Sequence, residues 1–308
     1  MKLDIDKKAF MIDQVAALDL PARKVVRQLY EAAFKITNEP LCLAAAEEIA
    51  AKTNRGDSVF ITTGFPIIPK NLWETDGPLG AAVLAETLRR LGLKPLLITD
   101  ENCVEILKTV SPNMQVSEFP ANDEQALLEA EDLISKFNPS IIIAIERPGW
   151  NEKQQYHNMK GQNISYLVGK TDYLFRHGRK LGITTIAIGD GGNELGCGAI
   201  AETVRKYVPY GARCQCPCGG GIAAVTPTDV LVMSGVSNWG SYGIVACLSL
   251  LKNVEYKHDG KNELRLLKRT VEAGAIDSIT LDSKPFVDGV PPSINNLVVN
   301  LIWTITNT

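Results

Sequence analysis

The sequence contains no run of apolar residues near the roughly 18 that a membrane-spanning helix needs. It has no basic run with interleaved aromatics, and 32 Lys plus Arg against 35 Asp plus Glu leave a net charge of -3. That balance points away from nucleic acid and from anionic membranes as partners. No internal repeat, low-complexity tract or long linker interrupts the chain, so residues 1–308 are expected to form one α/β domain, with 1–55 as its helical N-terminal part. No G-x-G-x-x-G opens the first helix, which weakens a dinucleotide reading. The start, Met1-Lys2-Leu3-Asp4-Ile5-Asp6, lacks the apolar core of a signal peptide, and a soluble cytoplasmic protein is expected.

The 7 cysteines are odd in number and unevenly placed, which argues against a disulfide framework. Cys42, Cys103 and Cys247 lie in apolar segments and read as small core residues. Cys214, Cys216 and Cys218 crowd a loop ahead of three glycines and lack the C-x2-C spacing of common structural metal sites. The favoured expectation is free thiols in a mobile loop. Zinc or an iron–sulfur cluster, with Cys197 joining in space, is the minority alternative. His157 and His177 are expected on the surface.

What is present is alternation. Helical spacing runs through Val25 to Ile36 and Leu41 to Ala50. Short apolar runs at Ser58–Thr63, Pro95–Thr99, Met114–Phe119, Ser140–Glu146, a segment ending at Gly189, and Val230–Ser234 then alternate with amphipathic stretches. Those stretches predict helices near Pro78–Leu91, Cys103–Val110, Asp123–Phe137, Tyr166–Leu181 and Trp239–Leu251, with Glu263–Glu272 and Ser293–Trp303 in the tail. Strands alternating with crossover helices specify a Rossmann-like, doubly wound, mostly parallel sheet with helices on both faces. Right-handed crossovers gather the carboxyl ends of its strands on one edge.

Polar residues cluster just beyond those ends. Thr63 and Gly64 follow the first strand, and Asp76-Gly77-Pro78 reads as a capped helix start, with Asp76 as N-cap. Glu146-Arg147 ends the most apolar strand. Asp190-Gly191-Gly192-Asn193-Glu194 forms a Gly-rich turn that can approach a ligand closely, and Ser237-Asn238 follow the last strand. This convergence defines the candidate site, with a small molecule as the expected partner and a homo-oligomer left open.

The segments Thr62-Thr63-Gly64-Phe65, Glu74-Thr75-Asp76-Gly77-Pro78-Leu79-Gly80-Ala81, Glu146-Arg147-Pro148-Gly149, Ile188 through Gly196, Gly235-Val236-Ser237-Asn238-Trp239-Gly240 and Val287-Asp288-Gly289 occur in this order along nearly the whole chain. In these the chain resembles the D-glutamate cyclase family, specifically the C-terminal domain of the mitochondrial enzyme and its free-standing bacterial relatives. The resemblance implies a lyase that reversibly cyclises D-glutamate to 5-oxo-D-proline with loss of water. That chemistry requires a base for the amine, an acid or Lewis acid for the departing oxygen, and an anchor for the α-carboxylate. The expected roles follow. Arg147 and the helix start at Gly77 bind carboxylates. Glu146, Asp190 and Glu194 divide the base, acid and metal-ligand roles, and Asn193, Ser237 and Asn238 orient substrate or oxyanion. Asp76 is a cap or a further ligand. Asp190 and Glu194 are the expected ligands of a divalent cation, Mn²⁺ or Mg²⁺ in preference to Zn²⁺.

Two rivals remain at this level. Gly189-Asp190-Gly191-Gly192-Asn193-Glu194 also looks like the Mg²⁺ motif of haloacid dehalogenase-type phosphohydrolases, with Asp4-Ile5-Asp6 carrying the nucleophile spacing but only three residues ahead of it. A non-catalytic carboxylate or nucleotide sensor on the same sheet is the other.

Overall fold

A computed structural model describes residues 2–252 and 258–307. In chain order the strands are β1 (Ser58–Thr63), β2 (Pro66–Ile67), β3 (Leu72–Trp73), β4 (Lys94–Thr99), β5 (Gln115–Glu118), β6 (Ile141–Ile145), β7 (Thr184–Gly189) and β8 (Val230–Met233). Six of them form one sheet in the order β5-β4-β1-β6-β7-β8, while β2 and β3 pair as a small hairpin. Every pairing in the large sheet is parallel. The chain therefore winds outward from β1 to β5, returns to the centre, and winds the other way from β6 to β8. This is the Rossmann strand order, with its switch point between β1 and β6. All five residues of β6 are buried, as an apolar strand covered on both faces requires.

The helices are α1 (Lys2–Ala16), α2 (Val26–Thr37), α3 (Leu41–Lys52), α4 (Pro78–Arg90), α5 (Val104–Val110), α6 (Asp123–Phe137), α7 (Asp172–Lys180), α8 (Ala201–Tyr207), α9 (Ser237–Lys252), α10 (Gly260–Glu272) and α11 (Pro292–Asn307). Helices α3 and α4 pack on α9, which α1 and α11 also cover, whereas α6 and α7 pack on each other. Right-handed crossovers account for the division, since strands laid down in opposite directions carry their helices on opposite faces. No helix among the described residues is long and apolar enough to cross a membrane.

Register levels the strand ends. Thr63 pairs with Ile145, Ile145 with Ile188, and Ile188 with Val232. The residues that follow these positions therefore emerge side by side.

Two expectations change. The helix foreseen from Tyr166 begins only at Asp172. Its first residues have other partners: Gly169 N–H donates to Asp100 Oδ1 at 2.6 Å and Lys170 N–H to Pro120 O at 2.9 Å. Backbone groups held this way cannot join an i→i−4 ladder. Asp4 and Asp6 lie on α1 rather than beyond a strand, so the nucleophile needed for the phosphohydrolase reading has no strand end to sit on.

Candidate active site

A cavity of about 110 Å³ opens at the switch point. Its wall includes Glu146 from the end of β6 and Asp190, Asn193 and Glu194 from the turn after β7. Arg23, Glu74, Asn158, Lys160, Ser278 and Asp288 add to its polar lining; Glu74 lies in the polar stretch after the first strand, whereas Arg23 and Asp288 do not follow from the strand-end argument. Asp76 and Ser237 stand directly behind it. Six buried carboxyl groups, Glu74, Asp76, Glu146, Asp190, Glu194 and Asp288, thus gather around the guanidinium of Arg23.

Glu146 leaves its strand with φ +42, a left-handed conformation uncommon for a residue with a Cβ. Its Oε2 accepts a hydrogen bond from Ser237 Oγ at 2.6 Å. Burial raises its carboxyl well above the ordinary range, and Asp190, Glu194, Glu74 and Asp76 push further the same way. Asp190 is also raised, by burial first, with Arg23 opposing. Burial, then Asp288, push Asp76 up to about 8, and burial with Asp288 and Asp76 raises Glu74. One enclosed site thereby holds several carboxyl groups that resist ionisation together.

Arg23 lies between α1 and α2. Its Nη2 donates to Asp190 Oδ2 at 2.8 Å and to Asp288 Oδ2 at 2.7 Å. Burial works against its charge, and the carboxyl groups of Asp190, Asp288, Glu146 and Glu194 more than offset that. Four buried polar atoms here have no partner among the described residues: Arg23 Nε, Glu74 Oε1, Thr63 Oγ1 and Asn193 Oδ1. Buried polar atoms are rarely left so outside ligand sites.

Arg147 lies elsewhere than its place in the sequence suggests. It is fully buried, and its five N–H groups are all engaged. Nη1 and Nη2 each donate to Asp100 at 2.7 Å, Nε donates to Thr171 Oγ1 at 3.2 Å, Nη1 also to Gly64 O at 3.1 Å, and Nη2 also to Gly169 O. No N–H remains for a substrate, and Gly64 serves this network rather than the cavity.

The two backbone anion sites are likewise filled from within. Asn238 Oδ1 accepts from Gly77 N–H at 3.0 Å and Gly80 N–H at 2.7 Å, closing the start of α4. Asp76 is not the N-cap of α4, a position that Gly77 holds. Its Oδ1 accepts from Gly77 N–H at 3.0 Å, but its carboxyl group mainly serves the start of α9, accepting from the N–H groups of Ser237 at 2.9 Å and Asn238 at 2.8 Å. The two helices cap each other crosswise. Gly77 makes this possible: it sits at φ +93, and a Cβ there would stand 2.5 Å from Thr63 Oγ1. In the turn after β7, Glu194 Oε1 accepts from Gly191 N–H at 2.7 Å and Oε2 from Gly192 N–H at 2.6 Å. The glycines cradle a carboxylate that belongs to the chain. Asn193 Nδ2 donates to His157 O at 2.8 Å, which joins the turn to the loop that forms another wall of the cavity.

The oxygen-only donor set suits a hard divalent cation. Ligand atoms of Asp76, Asp190 and Asp288 lie within 4.8 Å of one another, and so do those of Glu146, Asp190 and Glu194.

A doubly wound sheet with a buried acidic cluster lining a pocket at its switch point defines a Rossmann-like α/β protein. The chain belongs to the D-glutamate cyclase-like family: the family described as "D-glutamate cyclase-like, C-terminal" matches residues 12–302. It is 33% identical over 229 residues to the human protein "D-glutamate cyclase, mitochondrial", a match covering 68% of this chain and 36% of the human one. The match thus spans little more than a third of that relative's length.

Proposed function

We propose that this chain is a lyase that interconverts D-glutamate and 5-oxo-D-proline. The observation that carries the reading is Glu146, a buried carboxyl group whose hold on its proton is raised by burial and by its acidic neighbours, standing beside Asp190 in the wall of a small cavity, with oxygens of the two within 4.8 Å of each other.

In the forward direction the α-amine forms a bond to Cδ of the side-chain carboxyl group, and a C–O bond of that group breaks. The amine gives up two protons, and one oxygen leaves as water. Asp190, oriented by Arg23, accepts the two protons of the amine in turn. The first passes on to the departing oxygen; Glu146, oriented by Ser237, delivers the second proton that makes this oxygen water, and the second amine proton returns from Asp190 to Glu146, so both carboxyl groups end as they began. Nε–H of Arg23 anchors a substrate carboxylate, the role first assigned to Arg147. Oδ1 of Asn193, which lines the cavity without a partner, remains for orienting the amine. A Mg²⁺ or Mn²⁺ ion, which Asp76, Asp190 and Asp288 would hold with Glu194 nearby, would supply charge neutralisation and polarisation of a carboxyl oxygen.

Chiral chromatography tests the reading. Purified protein is incubated with D-glutamate, L-glutamate and 5-oxo-D-proline, with Mn²⁺, with Mg²⁺ or with chelator. Interconversion confined to the D-forms is expected, and Glu146→Gln should lower kcat at least about a hundredfold while circular dichroism stays unchanged. Tight ligand binding without turnover in the unsubstituted protein would replace the cyclase with a carboxylate sensor.

A further inference from the structure

The side chains of His157, Cys214, Cys216 and Cys218 converge on one point outside the acidic pocket. His157 is not on the surface. It is 1% exposed, Cys214 is buried, and Cys216 and Cys218 are half-buried. His157 Nε2 lies 3.2 Å from Cys216 Sγ and 3.5 Å from Cys218 Sγ. Cys214 Sγ lies 3.5 Å from Cys216 Sγ and 3.3 Å from Cys218 Sγ. All four ligand atoms fall within 4.8 Å of one another. Cys197 is not part of this group, since its thiol faces Glu194 and Met233 in the core.

We propose that these four residues form a closed structural zinc site that clamps one wall of the active-site cavity. Three sulfurs and one imidazole are a zinc donor set, and four protein ligands leave no open coordination position. Zn–S bonds of about 2.3 Å and Zn–N bonds of about 2.0–2.1 Å give a tetrahedron with edges of roughly 3.5–3.8 Å. The His157–Cys218 contact already matches such an edge and the other three fall a few tenths of an ångström short, so small outward shifts admit the ion. The thiols give up their protons on binding, and no oxidant is needed. Asn151 Nδ2, fully buried, stands 3.6 Å from Cys218 Sγ and is placed to donate to a thiolate.

The site ties together two irregular segments that hydrogen bonds also join. Gln215 N–H donates to Gly161 O at 2.8 Å, and Asn151 Nδ2 to Gly221 O at 2.7 Å. The residues just after His157, Asn158 to Lys160, line the acidic cavity, and the carbonyl of His157 holds Asn193. A ligand of the ion is thus one peptide unit from the pocket wall. C-x-C-x-C lacks the usual paired spacing, and the fourth ligand is supplied from a different loop, so the sequence pattern alone leaves the site incomplete.

Elemental analysis of the full-length protein, purified without added metal, should find about one zinc per chain. Cys216→Ser and the double variant Cys214→Ser/Cys218→Ser should lose it, whereas Asp288→Asn should keep it, which separates this site from metal held by the carboxyl groups. Replacement of zinc by Co²⁺ in the unsubstituted protein should produce the d–d and thiolate charge-transfer bands of tetrahedral coordination, a readout that does not depend on the variants folding. Limited proteolysis within residues 150–164 should speed up at least severalfold when the metal is stripped. The proposal is overturned by zinc content unchanged in folded cysteine variants, by an iron–sulfur spectrum, by a disulfide among these cysteines, or by three freely titrating thiols in metal-free native protein. None of these readouts depends on the substrate, so failure here and failure of the cyclase reading are separate results.

Discussion

Asp172 is buried and makes no ion pair among the described residues; it is held by Tyr156 Oη at 2.9 Å, Thr226 Oγ1 at 2.5 Å and the more distant Trp150 N–H at 3.4 Å. Burial raises its carboxyl to about 6, with these hydrogen bonds opposing. In the unfolded chain it ionises near the ordinary value of about 4. The native state therefore holds the extra proton between those values, and stability present below about pH 4 is lost as pH rises through about 6. The loss is about 3 kcal/mol for a shift of this size. Asp172→Asn should remove that slope, so the melting-temperature difference between variant and parent should climb across this window. Parallel curves would show that Asp172 is ionised in the folded protein throughout. The same scale shows what one residue's position conceals. Arg147 follows the most apolar strand and invites a substrate role, yet Asp100 and four other acceptors satisfy it. Arg23 has no pattern around it, yet it reaches the pocket, because its partner Asp288 is 265 residues away.

At the scale of elements, the crossed caps of α4 and α9 are the least expected feature. Asp76 precedes α4 in the sequence and reads as its cap, but the start of α9 lies close enough to compete. Two N–H groups there bind Asp76, and Asn238 returns the arrangement by binding Gly77 and Gly80. Asn238→Ala should cost about 1–2 kcal/mol in chemical denaturation with an unchanged slope. Cα-level shifts at Asp76 should also weaken activity. A variant with the parent's midpoint would show that water caps α4 equally well. Element existence was otherwise legible. The helix at Asp123–Phe137 appears with the boundaries that the periodicity predicts, and each foreseen strand is present, because apolar runs of this length can be satisfied only inside a covered parallel sheet. The helix foreseen at Tyr166 failed at its start because tertiary partners claimed its backbone.

At the scale of the molecule, the pocket is closed by segments from both ends of the chain. Arg23 enters from the N-terminal helices and Asp288 from the turn before α11, and they meet at Asp190 on the sheet edge. The helical N-terminal part is thus a component of the site as well as a cover for the sheet. Arg23→Gln should raise KM for D-glutamate about tenfold to a hundredfold, the scale of one charged hydrogen bond, while Lys24→Gln, exposed next to it, should leave KM unchanged. An unaltered KM in the Arg23 variant would remove it from substrate binding. By itself the sequence determined the doubly wound sheet, the edge at which the site lies, and Glu146, Asp190, Asn193 and Glu194 as residues facing it. Those follow from local periodicity and from the handedness of crossovers, which act over short stretches of chain. Only the tertiary structure decided which groups stay free to meet a ligand. Arg147, Asn238 and the Gly-rich turn have the right chemistry, but each is satisfied by a partner distant in sequence or by its own loop, and a buried polar group that is already satisfied has nothing left to offer.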